Sequence, residues 1–240
     1  MEQKKVWISG ASRGIGKAIA IEFAKAGYAL YLNCREQKTL LEEFKLQLET
    51  EYRVPVEIFV ADLGNYTQVE TIFSSLPPMD VIVNNAGISY IGLFHEMTPE
   101  AWKQILDTNL SSCFYVSQLG VQKMLPNKSG RIINISSIWG NVGASMEVAY
   151  STTKGGINAF TKALAKELAP SHISVNAIAC GVIDTQMNHC FSEEEMEAII
   201  ADIPADRLGK PEEVGRLALQ LANAPEYLTG QIITLDGGYI

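Results

Sequence analysis

Val6-Trp7-Ile8-Ser9-Gly10-Ala11-Ser12-Arg13-Gly14-Ile15-Gly16 is the stretch on which the reading of this chain turns. The short apolar run reads as a strand. Glycines follow at 10, 14 and 16, and a periodic segment over 15–26 reads as a helix stopped by Gly27. A glycine-rich turn between a strand and a helix is the setting that a dinucleotide pyrophosphate requires. Gly10 permits the tight turn. Gly14 and Gly16 let the backbone come close, with the N–H groups of the helix start pointing at the phosphates. The spacing G-x-x-x-G-x-G differs from the commoner G-x-G-x-x-G. An ordinary strand-to-helix turn is the alternative, so the turn alone does not fix a ligand.

Working outward, short apolar runs alternate with longer periodic ones. Runs at 28–33, 55–60, 80–83, 131–135, 173–179 and 231–235 read as strands. Segments at 40–48, 69–73, 99–125, 148–169 and 211–222 read as helices. The helix at 99–125 has Thr98 as its N-cap and proline in its first turn. Alternation of this kind implies an α/β fold: a Rossmann-type, doubly wound sheet of about seven parallel strands with helices on both faces. No linker divides residues 1–240, so one domain is expected. The irregular region 181–209, with a short acidic helix at 192–201, follows the sixth strand and is a candidate substrate lid.

Composition narrows the function. The formal net charge of -8 argues against general nucleic-acid binding, which needs a basic footprint. The four cysteines show no C-x-x-C spacing, which reads as a reduced, cytoplasmic chain with neither disulfides nor a metal site. His95, His172 and His189 are scattered, which disfavours a zinc site. Neither a signal-peptide core nor a stretch long enough to span a bilayer is found.

A second group of residues carries chemistry. Tyr150 and Lys154 stand i and i+4 on a helix, so both side chains leave one face. A free phenol has a pKa near ~10, and an ammonium one turn away favours the phenolate. Ser137, at the end of the fifth strand, can hold a carbonyl oxygen against the phenol. Asn109 sits mid-helix, where asparagine is a poor helix former, and can hold a kink or a water. Taken singly, these are a surface pair, a turn serine and a tolerated polar residue. Their joint presence on a sheet already read as dinucleotide-binding points to proton transfer accompanying hydride transfer, and away from a non-catalytic sensor. The second strand ends Asn33-Cys34-Arg35-Glu36. Arg35, with Arg13 from the first turn, suits a 2'-phosphate and favours NADP(H). In the alternative Glu36 binds the ribose hydroxyls of NAD(H).

These motifs, together with Asp62-Leu63, Asn84-Asn85-Ala86-Gly87, Gly181-Val182-Ile183-Asp184-Thr185 and Asp236-Gly237-Gly238, resemble the short-chain dehydrogenase/reductase superfamily from end to end. The resemblance implies that Gly10, Ser12, Arg13, Gly14, Ile15, Gly16 and Arg35 hold the cofactor phosphates. It implies that Asp62 and Leu63 meet the adenine, and that Asn85, Ala86 and Gly87 line the adenosine ribose. It implies that Tyr150 is the acid/base, Lys154 binds the nicotinamide ribose, Ser137 orients the carbonyl and Asn109 anchors a relay water. Gly181, Ile183 and Thr185 would adjoin the nicotinamide. Where the family usually has Pro-Gly, this chain has Cys180-Gly181, which loosens the backbone before the lid.

Within the superfamily the chain is similar to 3-oxoacyl-acyl-carrier-protein reductases through Gly130-Arg131-Ile132-Ile133-Asn134-Ile135-Ser136-Ser137 and Thr108-Asn109-Leu110. It is also similar to the aminopentanone reductases that finish a lysine modification on elongation factor P, through residues 87–93 and 137–150. The first likeness implies a ketone carried on acyl carrier protein, with Lys128 among the basic residues near the mouth; Ser171-His172 replaces the second basic position. The other implies elongation factor P as partner, with Glu147 attracting an amine; a small free ketone is a further alternative substrate. A first-turn carboxylate favoured by the helix dipole is the plainer account of Glu147. A homotetramer is implied, with helices 99–125 and 148–169 pairing across a two-fold axis.

Overall fold

The computed structural model describes residues 3–240; Met1, Glu2 and the side chain of His189 lie outside the described residues. Seven strands form one parallel sheet: β1 Lys5–Ile8, β2 Ala29–Cys34, β3 Val56–Val60, β4 Val81–Asn84, β5 Gly130–Ser137, β6 Ile173–Cys180 and β7 Ile232–Leu235. Their spatial order is β3-β2-β1-β4-β5-β6-β7. The order reverses between β1 and β4. Chains leaving their carboxyl ends there turn to opposite sides and leave a crevice, the usual ligand position in such sheets.

The helices cover both faces. On one side α1 (Gly14–Lys25), α2 (Lys38–Tyr52) and α9 (Pro211–Ala222) pack over a core that includes Val6, Ile8, Phe23, Leu30, Leu41 and Val214. On the other, α3 (Tyr66–Ser75), α5 (Ser112–Met124) and α7 (Val148–Leu168) cover Trp7, Phe73, Ile82, Val116 and Val175. Val6 and Ile8 facing one core and Trp7 the other is the two-residue alternation of a strand buried on both faces. Two short helices, α6 (Trp139–Val142) and α8 (Glu193–Asp202), sit at the carboxyl edge. Ser192 and Glu195 close a capping box on α8, where the sequence placed its acidic helix.

The stretch 99–125 is not one regular helix. Thr98 caps α4 (Pro99–Leu106) as expected, its hydroxyl accepting the Ala101 N–H at 3.2 Å. The chain then widens into a π-turn over Asp107–Ser111 before α5 begins. Asn109 holds this bulge: its Oδ1 accepts the Ile88 N–H at 2.8 Å and its Nδ2 donates to the Ile88 carbonyl at 2.9 Å. Bulges of this kind often mark functional positions. β5 and β6 also run past the apolar runs that signalled them, pairing up to Ser137 opposite Cys180. That extension carries Ser137 to the carboxyl edge. Among the described residues no helix is long and apolar enough to cross a membrane.

Candidate active site

A cleft of about 750 Å³ opens at the carboxyl edge, over the β1–β4 crevice. It gathers the two groups of residues that the sequence singled out separately. Its nucleotide end is lined by Gly10, Ser12, Arg13, Gly14, Ile15 and Arg35, with Asp62, Leu63, Asn85, Ala86 and Gly87 beside them. Its other end is lined by Ser137, Tyr150 and Lys154, with Gly181, Ile183 and Thr185 facing them. Gly16 and Asn109 stand behind the wall.

The glycine turn is built by close backbone contact. Gly10 and Gly14 take φ of +64° and +54°, which disfavours side chains. Gly16 acts differently from the expectation of approach to a phosphate. A Cβ on it would lie 2.2 Å from the Gly10 carbonyl oxygen and 2.5 Å from Asn85 Nδ2, so its missing side chain lets helix α1 dock against the turn. Asn85 clamps the same turn, Nδ2 donating to the carbonyls of Ser9 (2.9 Å) and Gly10 (3.1 Å). Ser9, which sequence reasoning missed as a site residue, completes the clamp. Its hydroxyl oxygen accepts the N–H groups of Asn85 and Ala86, both at 2.9 Å. Being a serine just before the first glycine, it carried only a weak signal.

The two arginines share the cleft. Arg13 Nη1 donates to Gln186 Oε1 at 3.2 Å, and Arg35 Nε donates to Glu36 Oε1 at 2.8 Å. Glu36 is thus engaged by a guanidinium beside the end of β2. Asp62 Oδ1 accepts the Gly64 N–H at 2.9 Å, which shapes the turn after β3. A glycine turn, a helix start and two guanidinium groups suit a dinucleotide phosphate chain.

At the reacting end Lys154 is 4 % exposed and its Nζ donates to the Ile135 carbonyl at 2.8 Å. It lies 5.4 Å from the centre of the Tyr150 ring. Burial pulls the ammonium down to about 8. The Tyr150 phenol is pushed well above its ordinary value, first by burial and then by the Cys180 thiol and the Glu147 carboxylate; a hydrogen bond with the Ser137 hydroxyl opposes this. Desolvation, the largest influence on the phenol, opposes the acidification expected of a neighbouring ammonium. Ser137 is itself held by the Trp139 N–H at 3.2 Å. Asn109, behind this group, donates to Thr153 Oγ1 at 3.1 Å, tying the π-turn to the helix that carries the tyrosine.

Cys180 is buried, and burial pushes its thiol up to about 12. Burial therefore keeps it in the protonated thiol form. The backbone that the missing proline would have stiffened is held otherwise. Gly181 N donates to the Leu235 carbonyl at 2.9 Å, and Ile183 bridges Gly209 in parallel. Glu147 is half-buried in the cleft wall; burial raises its carboxyl, opposed by a hydrogen bond from Trp139. Tyr239 packs its ring 5.9 Å from that of Trp139 and lines the cleft from the C-terminal segment. Neither aromatic residue announced itself in the sequence. Lys128 and His172 come just before β5 and β6, at the amino edge of the sheet. Eight residues of β5 put them about 25 Å from Ser137. Within one chain they do not form a basic rim beside the cleft.

The family model for short chain dehydrogenases matches residues 4–196. The chain is 39 % identical over 238 residues to the uncharacterized oxidoreductase YmfI of Bacillus subtilis, covering 98 % of each chain. It is 37 % identical over 246 residues to the 3-oxoacyl-[acyl-carrier-protein] reductase FabG of Aquifex aeolicus, covering 99 % of this chain and 98 % of that one. The solved structure of YwfH, an NADPH-dependent reductase involved in bacilysin biosynthesis, superposes with a TM-score of 0.93 at 27 % identity, covering 100 % and 99 %. With its parallel sheet and crevice, the chain belongs to the short-chain dehydrogenase/reductase family, oxidoreductases that act on carbonyl and hydroxyl groups with a nicotinamide cofactor.

Proposed function

We propose that this chain is an NADPH-dependent reductase of 3-oxoacyl thioesters, with Tyr150 as proton donor. The observation that carries the proposal is the meeting of Ser137, Tyr150 and Lys154 at one end of a cleft whose other end is the glycine turn. When bound, the reduced nicotinamide supplies the hydride to the ketone carbon. The residues of the chain handle the oxygen. Ser137 donates its hydroxyl proton to the carbonyl oxygen and holds it beside the phenol. Tyr150, kept neutral by burial across the neutral range, gives its proton to that oxygen, so ketone, hydride and proton become a secondary alcohol. Lys154, charged below about 8, then stabilises the phenolate left behind. Asn109 holds the helix junction that backs this group.

NADPH is favoured over NADH because Arg13 and Arg35 both line the cleft, and because Arg35 already engages the carboxylate that would otherwise meet a free 2'-hydroxyl. The 3-oxoacyl assignment rests on the similarity to FabG, named for a substrate carried on acyl carrier protein. A homotetramer is part of the same reading, and Phe114 on α5 and Val148 at the start of α7, both exposed, supply apolar surface for such pairing. Free thiols at all four cysteines suit a cytoplasmic location.

Glu147 favours a second reading. A half-buried carboxylate in the substrate wall suits a ketone that also carries an amine, as in an aminopentanone adduct on elongation factor P. One assay separates the two. NADPH and NADH oxidation are followed with acetoacetyl thioester and with an amino ketone of equal length. Faster turnover of the thioester with NADPH supports the first reading. Preference for the amino ketone, lost in Glu147→Gln, supports the second. Equal rates with both cofactors remove the argument from the arginines.

A further inference from the structure

A hydrogen-bonded polar chain runs behind the reacting group, from the buried Ser136 and Asn158 out to the exposed Asn141. Asn158 stands one helical turn after Lys154 on α7 and is 7 % exposed. Its Oδ1 accepts the Ser136 hydroxyl at 2.6 Å, and its Nδ2 donates to Asn141 Oδ1 at 2.9 Å. One amide therefore joins three elements: the end of β5, the short helix α6 and the helix of Tyr150 and Lys154. Ser136 immediately precedes Ser137, and its hydroxyl also lies 3.3 Å from the Lys154 carbonyl. The contact is backbone-tight, since a Cβ on Gly140 would meet the Lys154 carbonyl carbon at 2.6 Å. Trp139, the first residue of α6, gives its N–H to Ser137. The orientation of the Ser137 hydroxyl therefore depends on where α6 sits, and α6 is held to α7 through Asn158.

We infer that Asn158, with Asn141 as its outer anchor, is a positioning residue for the reaction. It fixes the strand end and α6 against α7, so that the Ser137 hydroxyl meets the Tyr150 phenol. The amide suits the task because it accepts from one partner while donating to the other. Neither Asn158 nor Asn141 lines the cleft, so neither binds substrate or cofactor. The inference rests on the roles proposed for Ser137 and Tyr150.

The test is a double-mutant cycle on ketone reduction. Asn158→Leu and Asn141→Ala are each made alone and with Ser137→Ala, and residual rates are read by single turnover. Each substitution alone is expected to lower kcat about ten-fold with the NADPH Kd unchanged, and to lower the rate less than about two-fold once Ser137 is already alanine. Should Asn158→Leu fail to fold, the exposed Asn141 carries the test. Asn141→Asp keeps an acceptor for Asn158 and is expected to retain the rate that Asn141→Ala loses. An equal loss in both Ser137 backgrounds, or equal rates for Asn141→Ala and Asn141→Asp, overturns the inference. Ser137→Ala and Tyr150→Phe alone test the underlying reading. If both stay fully active, the catalytic roles fall and the inference with them. If both lose activity while the cycle is additive, only the inference falls.

Discussion

Tyr150 and Lys154 respond to the same burial in opposite directions, and both responses serve reduction. The phenol is held in its proton-bearing form, while the ammonium is poised near neutrality. Reduction needs the acid form of the tyrosine and the charged form of the lysine. We therefore expect kcat/KM for ketone reduction to decline as pH rises through about 8, and this limb to vanish in Lys154→Met, as a pH series would read directly. The lysine also carries a stability cost. Its folded pKa lies below its unfolded value, so between about 8 and ~10.4 the unfolded chain binds more protons and stability rises with pH. Below that window the cost is constant. Lys154→Met is accordingly expected to stabilise the nucleotide-free protein at pH 7 by on the order of 1–3 kcal/mol, less the lost bond to Ile135, which thermal unfolding would read as a raised melting temperature.

At this scale the sequence was read well where spacing alone places a side chain. Tyr150 and Lys154 are four apart on a helix, and the glycines flank a strand end. It was read poorly where placement depends on another element. Ser9 acts through β4, Trp139 and Tyr239 meet only because the C-terminal segment returns to the cleft, and the charge state of Tyr150 depends on burial that no spacing encodes.

Among the elements, the helix stretch after Thr98 shows how a polar residue redirects a backbone. Periodicity predicts continuity through 99–125, but Asn109 trades regular helix geometry for two bonds to Ile88. Asn109→Ala should leave the sheet intact yet unpair the Ile88 N–H and carbonyl. Removing buried partners of this kind costs about 1–3 kcal/mol, which thermal unfolding would detect, and ketone turnover should fall with it. The turn after β1 is less forgiving. Gly16→Ala forces a methyl against the Gly10 carbonyl oxygen, and fluorescence titration should show weakened NADPH binding. The segment leading to α9 is tied differently. Arg207 forks onto Glu213 with two bonds of 2.8 Å, and the Lys210 N–H adds a third, at 2.7 Å. Together they hold the Glu213 carboxyl at about 2. A depressed carboxylate stabilises the fold above its unfolded pKa and loses that contribution as pH falls towards 2. Because Arg207 is half-exposed, Glu213→Gln should cost no more than about 1 kcal/mol at pH 7, a difference from wild type that shrinks on acidification.

For the whole molecule, alternating strands and helices made the parallel sheet legible, and the reversal between β1 and β4 explains why residues 140 positions apart in sequence share one crevice. Carrier docking was not legible in the same way. Lys128 and His172 are fixed to the amino edge by the start points of β5 and β6, a strand's length from the chemistry. Assembly is a separate prediction at this scale: light scattering should give four chains per particle, and a monomer would remove the proposed helix pairing. The central claim is that the Tyr150 hydroxyl delivers the proton to the ketone oxygen. The most direct measurement is NADPH oxidation with acetoacetyl thioester by wild type and Tyr150→Phe, with NADPH affinity measured on both by fluorescence. The account predicts a loss of about 10²-fold or more in turnover with NADPH affinity kept. Turnover within a few-fold of wild type in the phenylalanine variant would contradict it.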